Sequence, residues 1–242
     1  MGEVLRAVLF DLDGTLMDHD AARVAGLRAH LARWLAGTAF QESEAVEEEW
    51  RRLEALHYDE YTSGACSFQE QRRRRVHGMH AALGRERSSD AAADEWFEAY
   101  LRHYRAAWRP FADAAPALAA LSASRGRPAL GVVTNGEGEP QRAKLAAIGL
   151  AEHFTVVVAS GEAGVAKPQA AIFELACERL GVDPAQAAHV GDRLDLDASA
   201  AAQAGLQGVW LDRAGAASAP KGEIESVTRI TTLRDLGVAL EA

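Results

Sequence analysis

The sequence predicts an α/β protein: a parallel sheet with helices on both faces, interrupted after its first strand by an all-helical cap domain. Three observations carry this. Short apolar runs alternate with helical stretches from about Pro110 onward, the pattern of a parallel sheet connected by helical crossovers. One more apolar run, Val4 to Phe10, stands alone near the N-terminus, bounded by charge like a buried strand. Between the two, from His19 to Trp108, the periodicity is helical throughout. The α/β core is therefore assigned to residues 1–17 and 110–242, and the helical cap to residues 18–109.

Within the cap, Val24, Leu27, Leu31 and Trp34 or Leu35 recur at helical spacing until Gly37. A second helix is expected over Ser43 to Leu56 (Val46, Trp50, Leu53, Leu56) and a third over Ser67 to Leu83 (Phe68, Val76, Met79, Leu83). A fourth starts near Ser89 or Asp90 and carries Trp96, Tyr100, Tyr104 and Trp108 as cap core. Four amphipathic helices of this size can form a small bundle. In the core, Pro116 starts a short helix and Ala129 to Thr134 is a strand. Glu139 to Ile148 is a helix, Phe154 to Ala159 a strand, and Pro168 to Leu180 a helix with Pro168 at its first position. Ala187 to Val190 and Gly208 to Leu211 are strands flanking a helix over Asp197 to Ala204. The stretch after Gly215 reads as loop, and Ile224 to Leu236 as one more short strand and a closing turn.

With 242 residues and a hydrophobic fraction of 48%, the chain has ample material for a core. A formal net charge of -9 without a broad basic stripe argues against nucleic acid as a partner. Cys66 and Cys177 form no CxxC pair, so both are expected to be structural thiols without a disulfide framework. No apolar run approaches the length of a membrane span, and the N-terminus meets acidic residues too early for a signal peptide. The expected compartment is the cytoplasm. Monomer and homodimer both stay open.

The chemistry concentrates at strand ends. Asp11 and Asp13, then Thr134 and Asn135, then the loop leading to Lys167, then Asp192 with Asp195 and Asp197 all follow predicted parallel strands. Open α/β sheets place ligands on that rim. Alternate residues of an extended chain share a face, so Asp11 and Asp13 can approach one point. Like charges that close require a cation or a proton. Several carboxylates on one rim invite Mg²⁺, a hard cation with oxygen ligands. A carboxylate can attack phosphorus to form an aspartyl phosphate, and a second can move the proton. Lys167 supplies fixed positive charge, and Thr134 a hydroxyl for a phosphoryl oxygen.

The segment FDLDGTLMD resembles the first motif of the haloacid dehalogenase-like superfamily, in its Mg²⁺-dependent phosphatase branch. VVTNGE, AKPQAAIF and HVGDRLDLDASAAAQAG are similar to the remaining motifs, in order. The resemblance covers the whole chain, and the helical insertion resembles the family's first cap type. It implies a Rossmann-like core and a phosphoric monoester hydrolase acting on a small phosphate ester. It further implies Asp11 as nucleophile and Mg²⁺ ligand, and Asp13 as general acid and base, touching the metal through its backbone carbonyl. Thr134 and the amide of Asn135 would hold the phosphoryl group, and Lys167 would neutralise it and orient Asp11. Asp192 would ligate Mg²⁺, with Asp197 supporting the metal site from behind and Asp195 a neighbouring exposed acid. Arg193 stands where many relatives carry Ser or Thr, and its two expected outcomes are a salt bridge to Asp195 or Asp197 and a side chain that simply faces solvent. Glu162 is read as a loop-fixing residue, paired with Lys167 or capping a turn.

Other features have bland readings. Arg72 to Arg75 are expected on a solvated face, paired with Glu42, Glu44 and Glu47 to Glu49. The eight histidines lack zinc-site spacing, and His19 lies closest to the acidic rim. Competing functions are a sugar phosphomutase, a haloacid dehalogenase, and a non-catalytic binding or scaffold relative.

Overall fold

The computed structural model describes residues 5–35, 44–215 and 227–241. The chain divides into two compact units, Met1–His19 with Trp108–Ala242, and Asp20–Ala107. Among the described residues, no helix is long and apolar enough to cross a membrane.

The first unit is built on six parallel strands: β1 (Ala7–Phe10), β2 (Ala129–Thr134), β3 (Val156–Ala159), β4 (Ala187–Gly191), β5 (Gln207–Leu211) and β6 (Val227–Ile230). Their spatial order is β3-β2-β1-β4-β5-β6, the doubly wound Rossmann-like arrangement in which strand order reverses beside the first strand. β1 is buried along its whole length, as a central strand covered on both faces must be. Its Phe10 is in register with Val132 of β2 and Val190 of β4. The residues just beyond that row, Asp11, Thr134 and Asp192, therefore emerge on one rim.

Helices α5 (Ala114–Ala123), α6 (Gly138–Ala147), α7 (Ser160–Ala163), α8 (Ala170–Leu180), α9 (Ala200–Gln203) and α10 (Leu236–Glu241) belong to this unit. α8 contributes Ile172, Phe173, Ala176 and Cys177 to a core that includes Leu9, Val133 and Val158. Cys177 is a buried free thiol there, and Cys66 is likewise free.

Several boundaries differ from the sequence expectations. β1 begins at Ala7, not Val4, and Met1–Val4 lie outside the described residues. β3 begins at Val156 because Ala151–His153 forms a 3₁₀ turn ahead of it. α8 begins at Ala170, so Pro168 precedes the helix and does not sit at its first position. The helix expected over Asp197 to Ala204 divides into a π-helical turn, Leu194–Ser199, and the short α9. Such turns recur at functional sites. A 3₁₀ turn (Leu233–Asp235) and α10 follow β6, more helix than the closing turn expected. The loop expected after Gly215 runs largely through 216–226, outside the described residues.

The second unit holds α2 (Glu44–Thr62), α3 (Phe68–Ala82), α4 (Asp90–Ala106) and most of α1 (His19–Leu35). Ser67 and Ser89 cap α3 and α4, each accepting a backbone N–H three residues on. Trp50 is fully buried against Trp96, Phe97 and Tyr100, with ring centroids 5.0–6.1 Å apart. The aromatic residues of α4 are thus core, whereas Trp108 lies beyond α4 in the first unit. The expected contributions of Trp34, Leu35 and Gly37 lie outside the described side chains.

The arginine run departs from the expected pairing. Arg72 lies over the Phe68 ring, Arg73 pairs with Asp90 and Asp94, and Arg74 with Glu60 and Glu70. Arg75 is buried, 4.5 Å over the Trp50 ring and 2.6 Å from Glu54. Glu47, Glu48 and Glu49 instead pair with Arg28, Arg51 and Arg52. The reason is packing: α3 sits against α2 and α4, and the acids that face it are Glu54 and Glu60 of α2 and Asp90 and Asp94 of α4. Glu42 lies outside the described residues.

Candidate active site

The turn after β1 is shaped by Gly14, which adopts φ +91° and leaves room for Asp192: a Cβ there would come within 2.4 Å of its Oδ2. Arg213 holds the same turn from the other side. It donates to the carbonyl oxygens of Gly14 (3.3 Å) and Thr15 (2.8 Å) and makes a bidentate pair with Asp113 at 3.0 Å. Asp113 also accepts from Thr232 Oγ1 (2.7 Å) and Leu233 N (3.0 Å). The carboxyl end of β1 is therefore tied to the segments after β5 and β6.

Asp11, Asp192 and Asp197 converge, offering carboxylate oxygens that all lie within 4.8 Å of one another. Lys167 is buried and donates from Nζ to Asp11 Oδ1 and to Asp197 Oδ1, both at 2.6 Å. Asp197 is otherwise satisfied: His189 Nε2 lies 3.2 Å from Oδ1, and the Arg193 amide donates to Oδ2 at 3.0 Å. Asp11 Oδ2 is buried and accepts no hydrogen bond. An orphaned carboxylate oxygen beside two further acids fits a hard divalent cation.

The electrostatics agree. Burial, against the pull of Lys167 and with Asp197 and Asp192 adding repulsion, pushes the Asp11 carboxyl up to about 8. Burial and the Asp197 charge push Asp192 up to about 6. Asp197 goes the other way: Lys167 and His189 overcome its burial and hold it well below the usual carboxylate range. Asp11 and Asp192 are thus the two acids whose negative charge is under-compensated by protein groups.

Asp13 does not join this cluster, although the alternation of an extended strand allowed it to meet Asp11. The chain leaves the strand at Phe10 and turns at Gly14. Asp13 Oδ2 accepts from Lys144 Nζ at 2.5 Å and lies 3.4 Å from Gln141 Nε2, while Oδ1 is 3.8 Å from His19 Nδ1. Burial would raise the Asp13 carboxyl, but Lys144 and His19 outweigh it and hold the group below its ordinary value. The two carboxylates of the first motif therefore have separate cations.

Thr134 is buried at the end of β2, and its Oγ1 accepts from Gln141 Nε2 at 3.1 Å. Asn135 works through its side chain as well as its backbone: Oδ1 accepts from Lys167 N (2.9 Å) and Nδ2 donates to Lys167 O (3.0 Å), clamping the loop that carries the lysine. Arg193 forms a bidentate pair with Asp195, one of the two outcomes expected for it. Glu162 pairs with Arg142, not with Lys167. Sequence reasoning missed Gln141, Lys144 and the Asn135 side chain. The available signal was their place on the helix after VVTNG, where Gln141 and Lys144 stand three apart and share a face.

A family model described as haloacid dehalogenase-like hydrolase matches residues 5–205. The chain is 33% identical to a phosphoserine phosphatase of Thermus thermophilus, over 86% of this chain and 89% of that one. Among solved structures, it is similar to the HAD-hydrolase YfnB from Bacillus subtilis bound to magnesium. That match has a TM-score of 0.81 at 22% identity and covers 99% of this chain and all of that one. A 2-haloacid dehalogenase from Pseudomonas syringae is 29% identical, with a TM-score of 0.67, covering 98% of this chain and 99% of that one.

Proposed function

The chain belongs to the haloacid dehalogenase-like hydrolase family, and from that premise we propose that it is a Mg²⁺-dependent phosphatase acting on a small phosphorylated metabolite. As a phosphoric monoester hydrolase it would work through an aspartyl phosphate on Asp11. The observation that carries the reading is the asymmetry of Asp11: Oδ1 fixed by Lys167, Oδ2 without a partner beside Asp192. A carboxylate so held is aimed at one line of attack.

Asp11 and Asp192 would hold Mg²⁺ through their carboxylates and Asp13 through its backbone carbonyl, with Asp197 fixing Lys167. The metal, when bound, supplies positive charge to the phosphoryl oxygens and makes the carboxylate cluster tolerable. Thr134 and the Asn135 amide receive the phosphoryl group, and Lys167 neutralises it. Asp11 attacks phosphorus as the bond to the leaving oxygen breaks, and Asp13 gives that oxygen a proton. Asp13 then takes a proton from water, which attacks the phosphoryl group and frees Asp11 and inorganic phosphate. Lys144 holds Asp13 ionised in the free protein, so an ester entering as its monoanion brings the proton the first step uses.

Likeness to a dehalogenase raises a second reading, attack on carbon with loss of halide. Halide needs no proton to leave, so Asp13 and its own lysine would have no task in that reaction. The test is a panel of small phosphate esters and one 2-haloacid, with and without Mg²⁺. Phosphate release that needs Mg²⁺ and disappears in Asp11→Asn supports the proposal; halide release without phosphate release overturns it.

A further inference from the structure

The helix following β2 carries Gln141, a polar residue that the mechanism above does not use. Gln141 is buried, and its Nε2 faces three acceptors: Thr134 Oγ1 at 3.1 Å, the Asn135 carbonyl oxygen at 3.4 Å and Asp13 Oδ2 at 3.4 Å. Two of them, a carbonyl and a carboxylate, can only accept, so the amide must present its N–H₂ end to this point. The space is kept for it by Gly136, where a Cβ would stand 2.5 Å from Nε2.

This fixes the polarity of Thr134. A hydroxyl that accepts from Gln141 keeps its own hydrogen for another partner. Thr134 ends β2, beside the end of β1 that carries Asp11. An oxygen-rich anion seated there would receive that hydrogen. Apposed to Asp13 on the same helix face, Lys144 holds the neighbouring carboxylate, so one face of α6 orders two groups of the rim.

We propose that Gln141 is a positioning residue, which sets the Thr134 hydroxyl as a donor toward the phosphoryl group. It rests on the phosphatase reading and adds to it a residue that touches neither substrate nor metal. Without Gln141 the hydroxyl loses the donor that fixes its orientation.

The test is a double-mutant cycle on inorganic phosphate binding with Mg²⁺ present, read by calorimetry. Thr134→Val and Gln141→Met should each weaken phosphate about 10-fold or more, the scale of one hydrogen bond to a charged group. The double variant should bind no more weakly than Thr134→Val alone, because Gln141 acts through the hydroxyl. Gln141→Leu, run in parallel, covers misfolding of the Met variant, and melting temperature reports on both. Wild-type affinity in a folded Gln141 variant overturns the inference, as do losses that multiply in the double variant. A wild type that neither binds phosphate nor hydrolyses an aryl phosphate overturns the phosphatase reading along with it. A wild type that does both, with the cycle failing, overturns only the role of Gln141.

Discussion

Replacing Lys167 by Met is the perturbation with the most definite consequences. The ammonium sits 2.6 Å from Asp11 Oδ1 and from Asp197 Oδ1, and all three side chains are nearly fully buried. Met fills similar volume but leaves two buried carboxylates facing each other, with Asp192 nearby. Removing one partner of a buried ion pair costs ~3–5 kcal/mol. At ~2–4 °C per kcal/mol for a chain of this size, melting of the first unit should fall by about 6–20 °C. The Asp11 carboxyl, already pushed up to about 8 against the pull of Lys167, should rise further, and the positive charge that Lys167 brings to the phosphoryl group is lost. Mg²⁺ should therefore stabilise the variant but not restore its turnover. The assay is calorimetric melting of wild type and variant, each with Mg²⁺ and with chelator, alongside hydrolysis of an aryl phosphate. A variant that melts within about 2–4 °C of wild type in chelator, the equivalent of ~1 kcal/mol, would refute the claim that Lys167 compensates these acids.

Three further outcomes are expected. Mg²⁺ should raise the melting temperature by the equivalent of ~2.7 kcal/mol at a hundredfold excess over its dissociation constant; chelation should reverse the rise, and Asp11→Asn with Asp192→Asn should abolish it. Gly14→Ala should cost ~1–2 kcal/mol from the left-handed backbone alone. Because its Cβ would displace Asp192, the variant should need more Mg²⁺ for half-maximal activity, and an unchanged metal titration would count against Asp192 as a ligand. His30 is buried against Trp96, and burial with the nearby His103, Arg102 and His80 pushes it down to about 4. The unfolded chain binds the extra proton between about pH 6.5 and 4, so stability of the second unit should fall as pH falls through that window. The loss is at most about 3.5 kcal/mol, at ~1.4 kcal/mol per pH unit. Urea unfolding followed by tryptophan fluorescence should show it in wild type and a flatter profile in His30→Phe; identical profiles would remove His30 as the cause.

Much of the sheet was legible because β1, β2, β4 and β5 are short apolar runs whose burial on both faces leaves little alternative. The rim was legible for the same reason: Asp11, Thr134 and Asp192 stand where apolar runs stop, and Lys167 and Asp197 follow in the segments just beyond β3 and β4. Partner choice was not. That Asp13 turns away from Asp11 depends on Lys144, a residue more than a hundred positions away, brought there by the packing of α6. The π-helical turn at Leu194–Ser199 was equally hidden, since the tie from the Arg193 amide back to Asp197 is a tertiary detail of a GDRLDLD stretch. The arginine run failed for a related reason: helical spacing says which residues share a face but not which acids that face meets.

In the proposed reaction Asp11 carries the phosphoryl group between the two half-steps. The most direct measurement is mass spectrometry of the chain, acid-quenched within one turnover after mixing with Mg²⁺ and an aryl phosphate. One added phosphoryl group is expected on the peptide holding Asp11, and none in Asp11→Asn. Turnover with no phosphorylated peptide at any quench time, or a label on another residue, would contradict it.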